Sequence, residues 1–229
     1  MASIAVKLQQ VRERIAAACA AAQRPVQSVT LLAVSKTFGA EAVREAVAAG
    51  QRAFGENYVQ EGLAKINALA ELRRDIEWHL IGPLQSNKTR EVAAAFDWVH
   101  GVDRLKVAQR LSAQRPPGLP PLQVCLQVNV SGEASKGGVA PMEVAALARQ
   151  VSALPNLRLR GLMSIPEPAS DFAAQRAPHR VLCALAGALR SEGLALDTLS
   201  MGMSADLEAA IAEGATVVRV GTAIFGDRA

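Results

Sequence analysis

Aromatic residues and paired cysteines are scarce in this 229-residue sequence, and each scarcity excludes a class of protein. Phe, Trp and Tyr make up only 3% of the chain, too few for the platforms on which nucleic-acid bases stack. The 25 basic residues barely exceed the 21 acidic ones and form no run, so we predict no nucleic-acid partner. Cys19, Cys125 and Cys183 lack metal-ligand spacing, so we expect no metal site and reduced thiols in a cytoplasmic protein.

Long apolar runs are also missing. No stretch of about 18 apolar residues is present, so we expect no membrane partner. The first residues lack the charged-then-apolar pattern of a secretory signal. The hydrophobic fraction is nevertheless 50%, which is ample for a large core, and no linker divides the sequence. We therefore expect one domain over residues 1–229.

Short apolar segments alternate with helical patterns along the sequence. Eight segments have the length of strands: 30–37, 52–54, 76–81, 97–100, 122–130, 157–163, 198–201 and 216–220. An amphipathic helix is predicted before them, over 2–22, and helices follow them, with Ser86 and Asp103 as expected N-terminal caps. This alternation predicts a single α/β domain, a (β/α)8 TIM barrel with an extra N-terminal helix. A doubly wound open sheet is the alternative, but no G-x-G-x-x-G turn follows the first strand.

One lysine ends the first strand segment. Because side chains alternate along a strand, Leu32, Val34 and Lys36 share one face. Burial lowers the pKa of a lysine amine and makes it more nucleophilic. The alternative interpretation is a lysine whose amine extends from the strand end to water.

Polar residues collect where the other strands end, which is where barrels of this kind place their chemistry. The candidate site residues are Lys36, Asn57, His79, Met163, Gly202, Met203, Ser204, Arg219, Gly221 and Thr222. Each also has an ordinary structural explanation: His79 as a core histidine, Asn57 as a helix cap, and Arg219 as a salt-bridged strand residue. Their joint position at successive strand ends favours a site.

Two glycine-bearing segments, 201–204 and 221–226, follow the last two strands and predict a phosphate site made of backbone N–H groups. A reactive lysine facing a phosphate site suggests an aldehyde that carries a phosphate, and pyridoxal 5′-phosphate (PLP) is such a molecule. Arg219 shares a strand face with Gly221 and would donate to the pyridine nitrogen. Because a guanidinium keeps its proton, the ring would stay a weak electron sink.

These residues also carry a resemblance to a known family. The stretches LLAVSKTF, RAFGENYVQE, WHLIGPLQSNK, VNVSGEASKGG, LRGLMSIP, LSMGMSADLEAAI and VVRVGTAIFG resemble the pyridoxal phosphate homeostasis proteins, the YggS/PROSC group. The resemblance implies an alanine-racemase-like barrel of PLP-binding fold type III, with PLP as an internal aldimine on Lys36. It also implies no established catalytic turnover and a role in vitamin B6 and amino-acid balance. Phe38-Gly39 stand where family members often carry a lysine and a proline, whereas Lys136 is retained and could receive or relay the aldehyde.

We therefore expect a PLP-binding carrier or regulator without catalytic residues. Its expected partners are PLP and PLP-dependent apoenzymes or enzymes of B6 metabolism, and an open barrel mouth is compatible with a monomer. A PLP-dependent amino-acid racemase is the alternative. In racemases of the fold that the resemblance implies, the second base is a tyrosine from a β-domain of the partner subunit, and we expect no room for such a domain after the barrel. The only tyrosine of the sequence, Tyr58, is predicted on the helix after the second strand. A Schiff-base aldolase without PLP would leave the phosphate site and Arg219 unexplained.

Overall fold

Eight parallel strands form a closed barrel in the computed structural model, which describes residues 2–132 and 137–226. Each strand pairs with the next along the chain, and the last pairs with the first. The predicted (β/α)8 barrel is therefore confirmed. The strands are β1 (Thr30–Val34), β2 (Ala53–Glu56), β3 (Glu77–Leu80), β4 (Trp98–Val102), β5 (Leu122–Gln127), β6 (Leu157–Met163), β7 (Thr198–Ser200) and β8 (Val217–Val220).

Helices alternate with these strands, and one helix precedes the first strand. In the described ranges they are α1 (Ile4–Ala21), α2 (Ala40–Ala48), α3 (Val59–Ala68), α4 (Thr89–Ala95), α5 (Leu105–Gln114), α6 (Val144–Ser152), α7 (Phe172–Ser191), α8 (Leu207–Ala212) and α9 (Thr222–Phe225). The predicted N-terminal helix is α1, which packs against α2, α8 and α9. Across residues 2–132 and 137–226, none of the helices is both long enough and apolar enough to cross a bilayer.

Two predicted helix caps are wrong. Ser86 begins a short 3-10 turn ahead of α4, and its carbonyl accepts a hydrogen bond from the Thr89 hydroxyl at 2.9 Å. Arg104 occupies the cap position of α5 without a side-chain cap bond, and the Asp103 carboxylate instead accepts from the Arg104 guanidinium at 2.9 Å. In both places a residue that suits a cap makes a different local hydrogen bond.

The barrel interior is layered. Leu32 of β1 lies in register with Arg219 of β8, so both side chains point to the same side of the sheet. One apolar interior cluster contains Leu32, Val34, Ala53, Ile81 and Val217, and another contains Trp98, Cys125 and Met163. The larger core lies between the outer faces of the strands and the helices. The interior therefore places a few buried polar side chains among apolar layers.

Candidate functional site

A cavity of about 440 Å³ opens at the carboxyl ends of the strands. Its wall is built by the segments that end or follow β1, β2, β3, β6, β7 and β8, and its volume is that of a small-molecule site. The structure brings seven of the ten predicted site residues onto this wall: Lys36, Asn57, Met203, Ser204, Arg219, Gly221 and Thr222.

Lys36 lies in a turn two residues after β1 ends. The next residue, Thr37, has a φ of 69°, a left-handed conformation that a threonine rarely adopts. Backbone strain of this kind persists only where the surroundings impose it. Around Thr37, β2 and α3 contribute polar side chains that bond to the turn.

Three charged residues hold this turn, and we call them the Lys65 cluster: Glu56, Glu61 and Lys65. The Lys65 ammonium donates to the Ser35 carbonyl at 2.6 Å, to Glu56 Oε1 at 2.8 Å and to Glu61 Oε1 at 2.7 Å. Glu61 Oε1 also accepts from the Thr37 amide at 2.5 Å. The residues on both sides of Lys36 are thereby fixed, so the cluster sets where the Lys36 side chain starts.

Burial dominates the electrostatics of Glu56. Its side chain is fully buried, and desolvation raises its pKa, although Lys65 and the Ser35 hydroxyl, which donates at 2.5 Å, oppose the rise. Its second oxygen, Oε2, has no hydrogen-bond partner. The sequence analysis missed this cluster. The one available signal was the Glu61–Lys65 spacing of four residues on a helix, which brings the two side chains together.

Arg219 is the buried cation of the cavity wall. Its Nη1 donates to the Ser200 carbonyl at 2.6 Å and to Ser200 Oγ at 2.9 Å, and its Nη2 donates to the Ser164 carbonyl at 2.8 Å. Burial lowers the pKa of Arg219 to about 10, partly opposed by Asp206 and Cys125, so the group is cationic at neutral pH. These three bonds leave two of the five guanidinium N–H groups for a ligand.

The loop after β7 presents Ser204 to the cavity, and Asp206 shapes it. Asp206 Oδ1 accepts from the Met203 amide at 2.7 Å, and Oδ2 contacts His179 Nε2 at 2.9 Å. Burial opposes the ionisation of Asp206, but these hydrogen bonds lower its pKa. Arg14 of α1 donates to the Ser204 carbonyl at 3.1 Å. Met203 is therefore on the wall, but its amide is already bonded to Asp206.

Gly221 and Thr222 form the wall after β8. A Cβ at Gly221 would lie 3.0 Å from the Val34 carbonyl, so the glycine lets the end of β8 approach β1 closely. The Gly221 carbonyl accepts from the amides of Ile224 and Phe225 at 2.8 and 3.0 Å, which closes the short helix α9. The first amides of a helix have no acceptor within it, and Thr222 opens α9 beside the cavity.

Unpaired polar atoms indicate that this wall suits a polar ligand. Asn57 Oδ1 is buried without a hydrogen-bond partner, although Asn57 lines the cavity. Ser164 Oγ is likewise buried and unpaired, and the carbonyl of the same residue holds Arg219. Buried polar groups are normally paired, so such atoms point to a missing partner. With Lys36 and Arg219 on the same wall, the site suits an anionic ligand that also carries hydrogen-bonding groups.

Three predicted site residues, His79, Met163 and Gly202, lie apart from the described cavity wall. His79 lies inside the barrel in register with Trp98, the first residue of β4, because neighbouring barrel strands are staggered. Met163 packs against Trp98 and Cys125. Gly202 has a φ of 91°, and a Cβ there would lie 2.5 Å from the Ala210 Cβ, so this glycine serves the packing of the loop.

The sequence analysis also named Tyr58, Phe38, Gly39 and Lys136, and the structure describes the first three. Tyr58 is the cap residue of α3, with 59% of its surface exposed, and does not belong to the described cavity wall. Phe38 lines the cavity and stacks on Phe225 at 5.2 Å between ring centroids, and Gly39 precedes α2 as its cap. Lys136 lies outside the described residues.

Comparison with known proteins agrees with the barrel fold. Residues 6–229 match the family described as alanine racemase, N-terminal domain. The pyridoxal phosphate homeostasis proteins of Pseudomonas aeruginosa and Escherichia coli K12 are 62% and 54% identical to the chain, over 100% of it and 97% and 98% of their own lengths. The solved structure of PipY from Synechococcus elongatus PCC7942 with PLP bound is 41% identical and superposes with a TM-score of 0.85, covering 98% of this chain and 100% of PipY. The chain therefore belongs to the family of the pyridoxal phosphate homeostasis proteins, which have the alanine racemase N-terminal fold.

Proposed function

We propose that this protein binds PLP in the cavity at the barrel mouth and takes part in PLP homeostasis as a carrier or regulator. The observation that carries the proposal is that Lys36 and Arg219 line the same cavity. The relatives named above support it, since PipY was solved with PLP bound and the bacterial relatives are named for PLP homeostasis. The unpaired Asn57 Oδ1 adds an acceptor for a polar ring substituent.

Each end of the cavity has its own role in this proposal. When bound, PLP would supply an electrophilic aldehyde carbon, and Lys36 would be the residue that holds it covalently. Arg219 would donate to the ring nitrogen. The Ser204 hydroxyl and the backbone of Gly221 and Thr222 would hold the phosphate, where two glycine-bearing loops meet.

The ionisable groups of the wall favour a carrier over a racemase. Among the described residues that line the cavity, Lys36 and Arg219 are the charged ones. A racemase needs a second proton donor on the face of the ring opposite the lysine. Tyr58 and His79, two residues named from the sequence whose side chains can donate a proton, both lie apart from this wall.

The proposal also includes a cellular compartment and classes of partner proteins. All three cysteines are free, which is typical of a reducing compartment such as the cytoplasm. The open mouth would let a monomer exchange PLP with PLP-dependent apoenzymes or with enzymes of B6 metabolism. We propose these classes as partners.

Trapping with borohydride tests the proposal. The protein incubated with PLP should absorb visible light, and reduction should fix the label on the peptide that contains Lys36. The variant Lys36→Ala should lose the label, whereas Lys106→Ala, which changes an exposed lysine on α5, should keep it. A covalent reducible label that persists at this cavity in Lys36→Ala would refute the assignment. A label that moves to Lys136 would contradict Lys36 as the primary site.

A further inference from the structure

A row of four hydrogen-bonded side chains crosses the barrel interior and ends at Arg219. We call it the interior row: Glu77, His79, His100 and Ser200. Glu77 Oε2 contacts His79 Nε2 at 3.2 Å, and His79 Nδ1 contacts His100 Nε2 at 2.9 Å. His100 Nδ1 contacts Ser200 Oγ at 2.8 Å, and that oxygen accepts from Arg219 Nη1 at 2.9 Å. The row therefore joins the cavity wall to the amino-terminal end of the barrel, where the Glu77 side chain is 49% exposed.

The two ends of the row fix the direction of its hydrogen bonds. A guanidinium can only donate, and an ionised carboxylate can only accept. Burial opposes the ionisation of Glu77, but hydrogen bonds from His79 and from Trp98 Nε1, at 2.7 Å, lower its pKa. Burial lowers the pKa of His100 well below the usual value, and the neighbouring His79 and Arg219 lower it further, so this imidazole is neutral.

With both imidazoles neutral, one arrangement satisfies every contact. Ser200 accepts from Arg219 and donates its hydroxyl hydrogen to His100 Nδ1. His100 then carries its proton on Nε2 and donates to His79 Nδ1. His79 in turn donates from Nε2 to Glu77. Each donor faces an acceptor, and all donors point away from the cavity.

Protonation of His79 reverses this order. The Nε2 proton of His100 passes along the existing hydrogen bond to His79 Nδ1, so that His79 becomes the donor to His100 Nε2. His100 takes up one proton from solvent on Nδ1, which is directed at Ser200 Oγ. The Ser200 oxygen now accepts hydrogen bonds from both Arg219 and His100. The Ser200 hydroxyl hydrogen no longer has His100 Nδ1 as its acceptor. One proton is gained at His79, and none leaves the row.

We propose that the interior row is a positioning relay that transmits the protonation state of His79 to Arg219. A doubly donated Ser200 oxygen is a poorer acceptor for Arg219, so the guanidinium is held less firmly. The part of the proposal that concerns the cofactor ring rests on the proposed function, because Arg219 meets the ring nitrogen only there. The row itself does not depend on it.

The surroundings of the row support a role beyond filling the barrel. His79 stacks on Trp98 at 5.2 Å between centroids, and the adjoining interior clusters are apolar. An apolar side chain would fill the position of His100 without the desolvation cost of an imidazole. The charged groups that face the row are few. Arg160 acts on Glu77, and Asp206 and the Cys125 thiol act on Arg219.

Nitrogen-15 NMR of the imidazoles tests the relay without any cofactor. Two-bond proton–nitrogen spectra distinguish the tautomers, and the three histidines of the chain are assigned with single variants. In ligand-free protein titrated with acid, His100 should carry its proton on Nε2 while His79 is neutral and on Nδ1 once the His79 resonances show two ring protons. A His100 tautomer that is the same in both states of His79 would overturn the proposal.

A second measurement connects the row to the cofactor. The visible absorption of PLP-loaded wild-type protein should shift at the pH at which His100 changes tautomer. Ser200→Ala should lose this shift, and Ser200→Thr, which keeps a hydroxyl, should retain it. A shift that survives in a folded Ser200→Ala protein would overturn the relay. If PLP does not bind at all, the proposed function fails, while the NMR measurement on the wild type still decides the relay.

Discussion

Replacing Lys65 by methionine removes the ammonium group that ties the Lys36 turn to α3. Methionine is unbranched and apolar, so it preserves the packing of the lysine stem. The variant loses the contacts of Nζ with the Ser35 carbonyl, with Glu56 and with Glu61. The carboxylate of Glu56, which is fully buried, is then left without its cation.

The expected loss follows from that burial. Removing one partner of a buried ion pair costs about 3–5 kcal/mol, so we expect the free energy of unfolding to fall by that amount near neutral pH. The loss should depend on pH. Burial already raises the pKa of Glu56 in the folded protein, and removal of Lys65 raises it further. The folded variant thus binds a proton that the unfolded chain releases, and its stability falls as pH rises through the folded pKa of Glu56.

Urea denaturation of the ligand-free protein at several pH values measures this loss. Lys88→Met is the matched control, because its 3.3 Å contact with Glu91 is partly exposed and such pairs contribute about 0–1 kcal/mol. The double variant Glu56→Gln/Lys65→Met should regain most of the stability, since a neutral amide needs no cation. A loss below about 1 kcal/mol, or one that does not change with pH, would refute the claim that Lys65 neutralises Glu56.

Two further predictions concern the cavity. Ser204→Ala should weaken PLP binding about tenfold or more, because a hydrogen bond to a charged group contributes about 1.5–3 kcal/mol; an unchanged affinity in equilibrium titration would remove Ser204 from the phosphate site. PLP-loaded protein given L- or D-amino acids in deuterated water should show no sustained α-proton exchange, because the described wall offers no second acid or base beside Lys36 and Arg219. Exchange on the order of 1 s⁻¹ or faster that disappears in His79→Ala would make the protein an enzyme.

The fold and the main cavity residues were accessible from the sequence because they depend on local patterns. Alternation of apolar segments with helical patterns is enough to predict the barrel, and chemistry in a barrel gathers at strand ends. Lys36, Asn57 and Arg219 follow from that rule and lie on one wall. His79 was selected by the same rule but lies inside the barrel beside Trp98, because strand length alone does not reveal the register between neighbouring strands.

The contacts that support the cavity wall could not be predicted from the sequence, for a different reason. Lys65 reaches the Ser35 carbonyl across 30 positions of sequence, and His100 reaches Ser200 across 100. No periodicity encodes such pairings, because they arise only when the strands are in register. The Met203 amide illustrates the converse: a backbone donor expected to be open is occupied by Asp206, three residues along the chain.

The close approach of Gly221 to Val34 has a consequence for folding during synthesis on the ribosome. The cavity straddles the seam between β1 and β8, and its wall runs from Val34 to Gly226. A nascent chain therefore carries Lys36 early but has no complete binding site until the ribosome has released the last strand and α9. A ligand that binds across this seam stabilises only the closed barrel. When the ligand concentration exceeds its Kd, the added free energy of unfolding grows with the logarithm of the ratio of concentration to Kd. PLP bound across the seam would therefore add to the stability of a newly closed barrel.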